Sequence, residues 1–338
     1  MGFRLRAGRG TNLALLVLLT GAVLTGALAF AIGGRWAFWA LAAHGATGLA
    51  LVVLAPWKRV ISARGIRRAR PGIAASVVLA VLIVTAVLTG VGHAIGWWSS
   101  VLAMQVHVGA ALLSIPFAVW HIVRRPVAPR ASDLSRRTLL RAGAIAGGGI
   151  VAFGALEGVV RVSGLSGADR RATGSYERGS FDPGSMPVTQ WLDDEPPAID
   201  LAEWRLVARS SSGDRIWSYD ELAGSGFDRV RATLDCTGGW FATQDWSGVR
   251  LDRLLHAEDD FRSFVVVSAT GFARRFPISD AGSMLLALRA GGRVLSAGHG
   301  FPARLVAPGR RGFWWVKWVE RIETSGTPWW WQSPFPLT

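Results

Sequence analysis

Cys236 is the only cysteine in 338 residues, so no disulfide can close within the chain and no cluster of cysteines can hold a metal. Its thiol either packs as a small buried hydrophobe or acts alone as a soft ligand, since thiolates suit metals already held by sulfur. The residues around it, Leu234-Asp235-Cys236-Thr237-Gly238-Gly239-Trp240, place two glycines where main chain can approach a ligand closely. A second group follows later in the chain: His299-Gly300-Phe301-Pro302-Ala303-Arg304, then Lys317. Arginine meets a phosphate with paired hydrogen bonds and lysine meets it as a point charge. A third group is made of four histidines, His44, His93, His107 and His121, in or beside long apolar stretches. Ionisable residues inside a bilayer are costly and therefore functional candidates.

The elements that must position these residues differ between the two halves of the chain. Residues 1–132 carry 13 of the 37 Lys+Arg and none of the 23 Asp+Glu, and the remainder is nearly neutral. Bases that punctuate apolar runs mark membrane topology; a nucleic-acid partner would need them clustered on a soluble face, and is excluded. Stretches of about 20 apolar residues cover a bilayer core about 30 Å thick. Five are expected, over approximately Asn12–Ile32, Trp36–Pro56, Ile73–Ile95, Val101–Val123 and Thr138–Val160. The arginine-rich Arg4–Arg9 terminus and the Lys58–Arg70 and Arg124–Arg141 loops go to the cytoplasm by the positive-inside rule. The short loops at Gly33–Arg35 and Gly96–Ser100, the latter with Trp97 and Trp98, then lie outside.

Depth along the helices sorts the histidines. His44 lies eight residues and His107 six residues below the outer starts of their spans, about 12 and about 9 Å. Two histidines at one depth suit the axial positions of one b-type haem. Ala43, Gly45, Gly48, Gly109 and Ala110 leave room for a flat macrocycle or serve plain helix packing. His93, near the outer end of its span, reads as an interfacial residue or an alternative ligand. His121 lies about 21 Å deeper than His107, at the cytoplasmic end, with no second histidine at its depth.

The fifth span opens on Ser135-Arg136-Arg137-Thr138-Leu139-Leu140 and a glycine-rich apolar run. It resembles a twin-arginine export signal, an address read by machinery that moves folded, often cofactor-loaded domains. No small-x-small cleavage site follows, so the run is expected to stay as an anchor. Residues 163–200 are rich in Gly, Pro, Ser and charge and read as a linker and entry segment. Beyond them, Arg205–Ala208, Arg231–Leu234, Phe264–Ser268, Arg304–Val306 and Val316–Ile322 read as strands, and Leu251–Leu255 and Ala281–Leu288 as short helices.

Within that second half, the Cys236 segment, with Trp246-Ser247-Gly248-Val249-Arg250-Leu251 after it, resembles the cysteine segment of the sulfite oxidase family of molybdopterin enzymes. The His299–Val306 block, with Pro308, Gly312 and Val316-Lys317-Trp318, looks like that family's pterin-binding segment. The blocks fall in the family's order and spacing, and the likeness covers roughly Phe181 to Ser325. It implies an α+β domain of the sulfite oxidase molybdopterin-binding type, with Cys236 on molybdenum beside the pterin's two sulfurs. It implies that Gly238, Gly239, His299, Arg304 and Lys317 hold the cofactor. Arg310 and Arg311 read equally as added charge near the phosphate or as a solvated pair, and Arg274 and Arg275 as a pocket cation or, preferably, a solvated strand edge. The arginine and tyrosine residues that bind sulfite in true sulfite oxidases have no match here. The first four spans resemble small b-type cytochromes.

The expected molecule is thus an integral membrane helical bundle of about five spans followed by an extracytoplasmic α+β domain. Residues 1–132 form a four-helix membrane domain, 133–162 the twin-arginine-like signal and fifth span, 163–200 the linker, and 201–338 the molybdopterin-binding oxidoreductase domain. It is expected to work with molybdenum–molybdopterin and haem b, a small-molecule oxygen-atom donor or acceptor, a quinone or other electron carrier, membrane lipid and the twin-arginine export machinery. The rival reading is a membrane electron carrier or scaffold whose external domain binds cofactor without turnover. Replacing Arg136 and Arg137 together by lysine should leave the second half cytoplasmic while the first four spans still insert. Protease added to spheroplasts would then spare a domain that it cuts in the wild type; continued external cleavage would contradict the export reading.

Overall fold

The computed structural model describes residues 7–67, 72–127, 130–191, 194–210, 213–255 and 261–335. Arg4, Arg6, Arg68 and Arg70 of the expected basic face lie outside the described residues. The chain divides into two units, Met1–Gly174 and Ser175–Thr338.

The first unit is helical. Its helices are α1 (Arg9–Ala31), α2 (Ala37–Arg67), α3 (Ile73–Ile95), α4 (Val101–Arg124) and α5 (Arg136–Val162), each long and apolar enough to cross a membrane. Few of their large apolar side chains are buried, and many, Leu24, Val81 and Leu113 among them, stand exposed on the unit's surface, as on lipid-facing helices. The second span is longer than expected. It continues through Pro56 to Arg67, so Lys58, Arg59 and Arg64 ride on the helix and not on a loop. Lysine and arginine are good helix formers, and cations complement the negative end of the helix dipole.

Within the unit α1 packs on α2, α3 on α4, and α5 on α2, while the two hairpins touch each other sparingly. Helix ends sort to two faces. At the basic face Arg9 forms an ion pair with Asp133, and Arg64 Nη2 donates to the Ala7 carbonyl at 2.7 Å. At the other face Arg170 pairs with Glu157 and donates to the Ala94 carbonyl at 2.6 Å. The two hairpins share a sequence pattern. Ala22-Val23-Leu24-Thr25-Gly26 on α1 recurs as Ala86-Val87-Leu88-Thr89-Gly90 on α3. Thr25 and Thr89 each donate to the carbonyl four residues back, at 2.6 and 2.7 Å.

The second unit is built from two sheets. The first joins β1 (Tyr176–Glu177), β5 (Trp240–Arg250), β8 (Leu285–Ala290) and β10 (Arg304–Val306) in that order, with β4 (Asp228–Cys236) beside β5 and β9 (Arg293–Val294) beside β8. The second runs β3 (Gly213–Ser218), β2 (Arg205–Ser210), β11 (Val319–Ser325), β6 (Ser263–Ser268) and β7 (Ala273–Pro277). Short helices α6 (Tyr219–Gly224) and α7 (Leu251–Leu254) connect strands, α6 starting with a capping box of Ser218 and Glu221. One expected helix is corrected: Leu285–Ala290 is strand β8, after a 3-10 turn over Ile278–Ser283. Leu285, Leu286, Ala287 and Leu288 are all fully buried. A short run buried on both faces shows no alternation and cannot be told from a helix by periodicity.

The α2–α5 contact rests on Gly149, where a Cβ would lie 2.4 Å from the Ala46 carbonyl oxygen and 2.9 Å from Ala50 Cβ. Small residues let membrane helices approach closely. Gly149→Leu should therefore lower the melting temperature of the detergent-solubilised chain, whereas Gly154→Leu, at an exposed position with nothing within 4 Å, should not. Equal melting temperatures for the two variants would show that α5 does not depend on this contact.

Candidate functional site

In the second unit, β4 and β5 form a hairpin in which Cys236 pairs with Trp240 across the turn Thr237-Gly238-Gly239. Gly239 has φ +83°, a left-handed conformation that side chains strain to adopt. The Gly238 N–H donates to Cys236 Sγ at 3.3 Å, and Thr189 Oγ1 lies 3.2 Å from the same sulfur. The strand end that carries the thiol is pinned from below. Arg311 Nη1 donates to Asp235 Oδ1 at 2.5 Å and its Nη2 to the Cys236 carbonyl at 3.4 Å, while Ser175 donates to Asp235 at 2.7 Å. The Arg311 and Asp235 side chains are only 4% and 9% exposed. Losing one partner of a buried pair is costly, so this pair fixes the thiol's position. Arg311 is thus a buried support and not a solvated neighbour of Arg310, which pairs with Asp280 at 2.6 Å.

Cys236, His299, Arg304 and Lys317 line one pocket. Arg304 sits at the start of β10 and is 1% exposed, with its guanidinium carbon 5.2 Å from the Trp246 ring centre and 5.7 Å from that of Trp315. Its Nη1 donates to the His299 carbonyl at 3.0 Å, and its Nε has no partner. Lys317 Nζ donates to the Thr189 and Gly298 carbonyls at 2.7 Å each and to Gln190 Oε1 at 2.8 Å. His299 Nδ1 lies 2.7 Å from Ser296 Oγ. Among the described residues neither Arg304 nor Lys317 has an ion pair.

Burial governs the ionisation of these groups. It holds the Lys317 ammonium down at about 7, reinforced by Arg304 and opposed by Cys236 and Asp194. It holds His299 at about 4, with Arg304 and Lys317 adding to the effect, and brings Arg304 down to about 10. A buried arginine with an orphaned guanidinium nitrogen and a half-buried lysine beside a lone thiol suit an anionic cofactor, which would supply the missing acceptors. The donor set therefore fits the phosphate-bearing pterin and the sulfur-held metal expected from the sequence.

The rest of the lining was not anticipated. Thr189, Gln190, Trp191 and Asp194 come from the segment expected to be a linker. Only its Thr-Gln-Trp run hinted at more than a tether. Trp191 packs against Phe272 and Phe313 at centroid distances of 6.2 and 5.7 Å, giving the pocket an aromatic side. Arg274, a candidate for attracting an anionic substrate, does not line the pocket. It is 2% exposed and stacks on Trp314 at 3.9 Å. Burial and then Arg310 bring its guanidinium down to about 10. Nor is it the solvated strand edge that was preferred for it.

In the first unit His44 and His107 face each other with ring centroids 5.8 Å apart and planes at 87°. These two rings are the residues that would hold a haem iron, were one bound. His44 Nδ1 is 3.0 Å from the Ala22 carbonyl and His107 Nδ1 is 2.7 Å from the Ala86 carbonyl. A carbonyl only accepts, so Nδ1 carries the proton in each ring and Nε2 keeps its lone pair, the arrangement found behind metal-bound histidines. Gly26 and Gly90 make room for the rings, since a Cβ on either would come 3.0 Å from the imidazole Cε1. Gly45 takes the second of its two expected uses, helix packing, as a Cβ there would strike Phe153 of α5 at 2.5 Å. His93 is committed elsewhere, to the Trp98 carbonyl at 3.2 Å and the Gly174 carbonyl at 2.9 Å.

Comparison with known proteins bears on the second unit first. Residues 194–331 match the family model described as oxidoreductase molybdopterin binding domain. The chain is 30% identical over 137 residues to the "Putative protein-methionine-sulfoxide reductase subunit YedZ1" of Azospira oryzae, covering 38% of this chain and 52% of that protein. It is 50% identical over 42 residues to an NADPH nitrate reductase of Phytophthora infestans, covering 12% of this chain and 5% of the relative. The crystal structure of the sulfane dehydrogenase SoxCD from Paracoccus pantotrophus matches with a TM-score of 0.37 and 24% identity, over 39% of this chain and 40% of that one. The chain thus spans about half the length of the first of these relatives and a small part of the second.

The pocket's charge makes a pH prediction for the cofactor-free chain. Lys317 has its folded pKa, about 7, below the 10.5 of an ordinary lysine. Between these values the unfolded chain binds more protons, so stability rises with pH from about 7 to about 10. Thermal melts across that range should show the rise in the wild type and a smaller one in Lys317→Met; identical slopes would mean that Lys317 is not held in a charge-disfavouring site.

Proposed function

We propose that this chain, whose residues 194–331 belong to the oxidoreductase molybdopterin binding domain family, is a membrane-anchored molybdopterin enzyme that removes oxygen from sulfoxide-type substrates outside the cytoplasmic membrane. The observation that carries the reading is the convergence of Cys236, His299, Arg304 and Lys317 on one pocket. Cys236 supplies the protein's ligand to molybdenum, oriented by the Gly238 N–H. Arg304, Lys317 and His299 hold the anionic pterin, with Gly238 and Gly239 allowing its close approach. When bound, molybdenum–molybdopterin supplies two-electron oxygen-atom transfer. A sulfoxide takes up two electrons and two protons and leaves as a thioether and water.

The aromatic side formed by Trp191, Phe272 and Phe313 favours a neutral sulfur substrate, because thioether sulfur contacts aromatic rings favourably. Arg274 does not line the pocket, and the lining cations Arg304 and Lys317 are those assigned to the pterin. Methionine sulfoxide in proteins is the class named for the Azospira relative, and it fits these features. Electrons reach the domain through the helical unit, where His44 and His107 hold haem b. The basic helix ends lie in the cytoplasm and the second unit is exported by the twin-arginine route.

Purified protein should contain about one molybdenum per chain and reduce methionine sulfoxide with a reduced dye. Cys236→Ser should abolish this turnover without preventing membrane insertion. Molybdenum without turnover on sulfoxide or sulfite would favour the electron-carrier reading, and full activity in Cys236→Ser would remove the thiol from the mechanism. The same preparation should show a low-spin, two-histidine haem spectrum that His44→Ala or His107→Ala eliminates and His121→Ala preserves. A wild type without that spectrum would rule out the haem.

A further inference from the structure

The pattern shared by the hairpins pairs more residues than the two facing histidines. Lys58 follows His44 by 14 residues on α2, and His121 follows His107 by 14 on α4. Fourteen residues make about 3.9 helical turns, which returns a side chain to within about 40° of the same face and about 21 Å further along. The supporting partners repeat as well. Asn12 lies ten residues before Ala22 on α1, and Ser76 ten before Ala86 on α3. Lys58 Nζ donates to Asn12 Oδ1 at 3.4 Å, and His121 Nδ1 lies 3.0 Å from Ser76 Oγ.

Lys58 and His121 are close enough to interact electrostatically, and Arg125 at the end of α4 influences both. Each is half-buried. No acidic residue precedes Asp133, and Asp133 is paired with Arg9. The basic end of the first unit therefore holds a second pair of polar side chains, at positions equivalent to the histidines and each joined to the first helix of its own hairpin, with hydrogen-bond donors and no carboxylate to receive them among the described residues.

We propose that Lys58 and His121, backed by Asn12 and Ser76, form a binding site for the headgroup of a membrane quinol. A quinol is a flat ring carrying oxygens on opposite sides and an apolar tail, which matches donors presented from two hairpins amid lipid-facing helices. Lys58 donates to one oxygen, and His121 accepts the proton of the hydroxyl on the other side. Oxidation converts the quinol to quinone and releases two electrons and two protons. The electrons pass toward His44 and His107, and the protons leave to solvent at the basic end. Two electrons and two protons are also what reduction of one sulfoxide to thioether and water consumes, so one quinol balances one turnover. This assignment rests on the electron-supply reading above, but the binding site stands independently of whether haem is present.

The test uses the full-length chain in detergent with decylubiquinone as the probe. Equilibrium dialysis should show one saturable site, weakened about tenfold or more in Lys58→Gln and in His121→Gln, as loss of one charged hydrogen bond would give, and largely restored in Lys58→Arg. Decylubiquinol should reduce the haem of the wild type quickly and that of the Gln variants slowly, while dithionite gives all of them the same spectrum. Unchanged binding in both Gln variants would overturn the site. Loss of haem absorbance in His121→Gln would overturn it too, by making this pair a haem site, and so would displacement of the probe by phosphatidylglycerol, by making it a lipid-headgroup site. Should the wild type lack haem, the dialysis result alone decides the site, so that failure is distinguishable from failure of the electron route.

Discussion

A guanidinium that is 1% exposed and has no ion pair among the described residues is the constraint around which the second unit is arranged. A buried charge costs several kcal/mol unless something compensates it. Trp246 and Trp315 on either side of Arg304 offer their π faces, worth about 2 kcal/mol when desolvated, and the His299 carbonyl takes one hydrogen bond. This leaves Nε orphaned, with Lys317 held nearby as a second cation. Such a pocket is poised for an anion, and the cost of assembling it is recovered when one binds. The lone thiol at its edge, immobilised by Gly238, Thr189 and the Arg311–Asp235 pair, would supply the protein ligand to a sulfur-held metal.

The first unit solves a different problem with the same economy of parts. Apolar helices exposed to lipid gain little by packing on each other, so specific polar contacts and small residues decide how they meet. Each hairpin uses one glycine to admit a histidine ring and one carbonyl to fix its tautomer. The repeated spacing extends to the basic end, which carries a matching pair. Lys58 and His121 occupy equivalent positions of the two hairpins, 14 residues beyond His44 and His107.

Arg310 and Arg311, adjacent in sequence, and Arg274, far from both in the chain, illustrate how one residue type acquires different duties. Arg311 is a buried support beneath the thiol, Arg310 pairs with Asp280 nearer the surface, and Arg274 stacks under Trp314. The difference lies in which strand or turn carries each guanidinium and which way it points. Composition gives all three the same charge and says nothing about that direction.

The sequence by itself determined five apolar segments of spanning length, the basic faces of their ends, the matched depth of His44 and His107, and the blocks around Cys236 and His299–Lys317. These depend on local properties, namely hydropathy, charge and residue order. It also contained the Ala-Val-Leu-Thr-Gly repeat, which stays inconspicuous among similar apolar residues until the two hairpins are seen to place it identically. Only the tertiary structure decided that Leu285–Ala290 is a strand, because burial on both faces erases the periodicity that would mark it. Likewise, only folding brings Thr189 to the Cys236 sulfur, buries Arg311 against Asp235, and turns two rings 63 residues apart in sequence toward each other, since such contacts depend on chain-distant elements meeting and leave no mark on the local pattern.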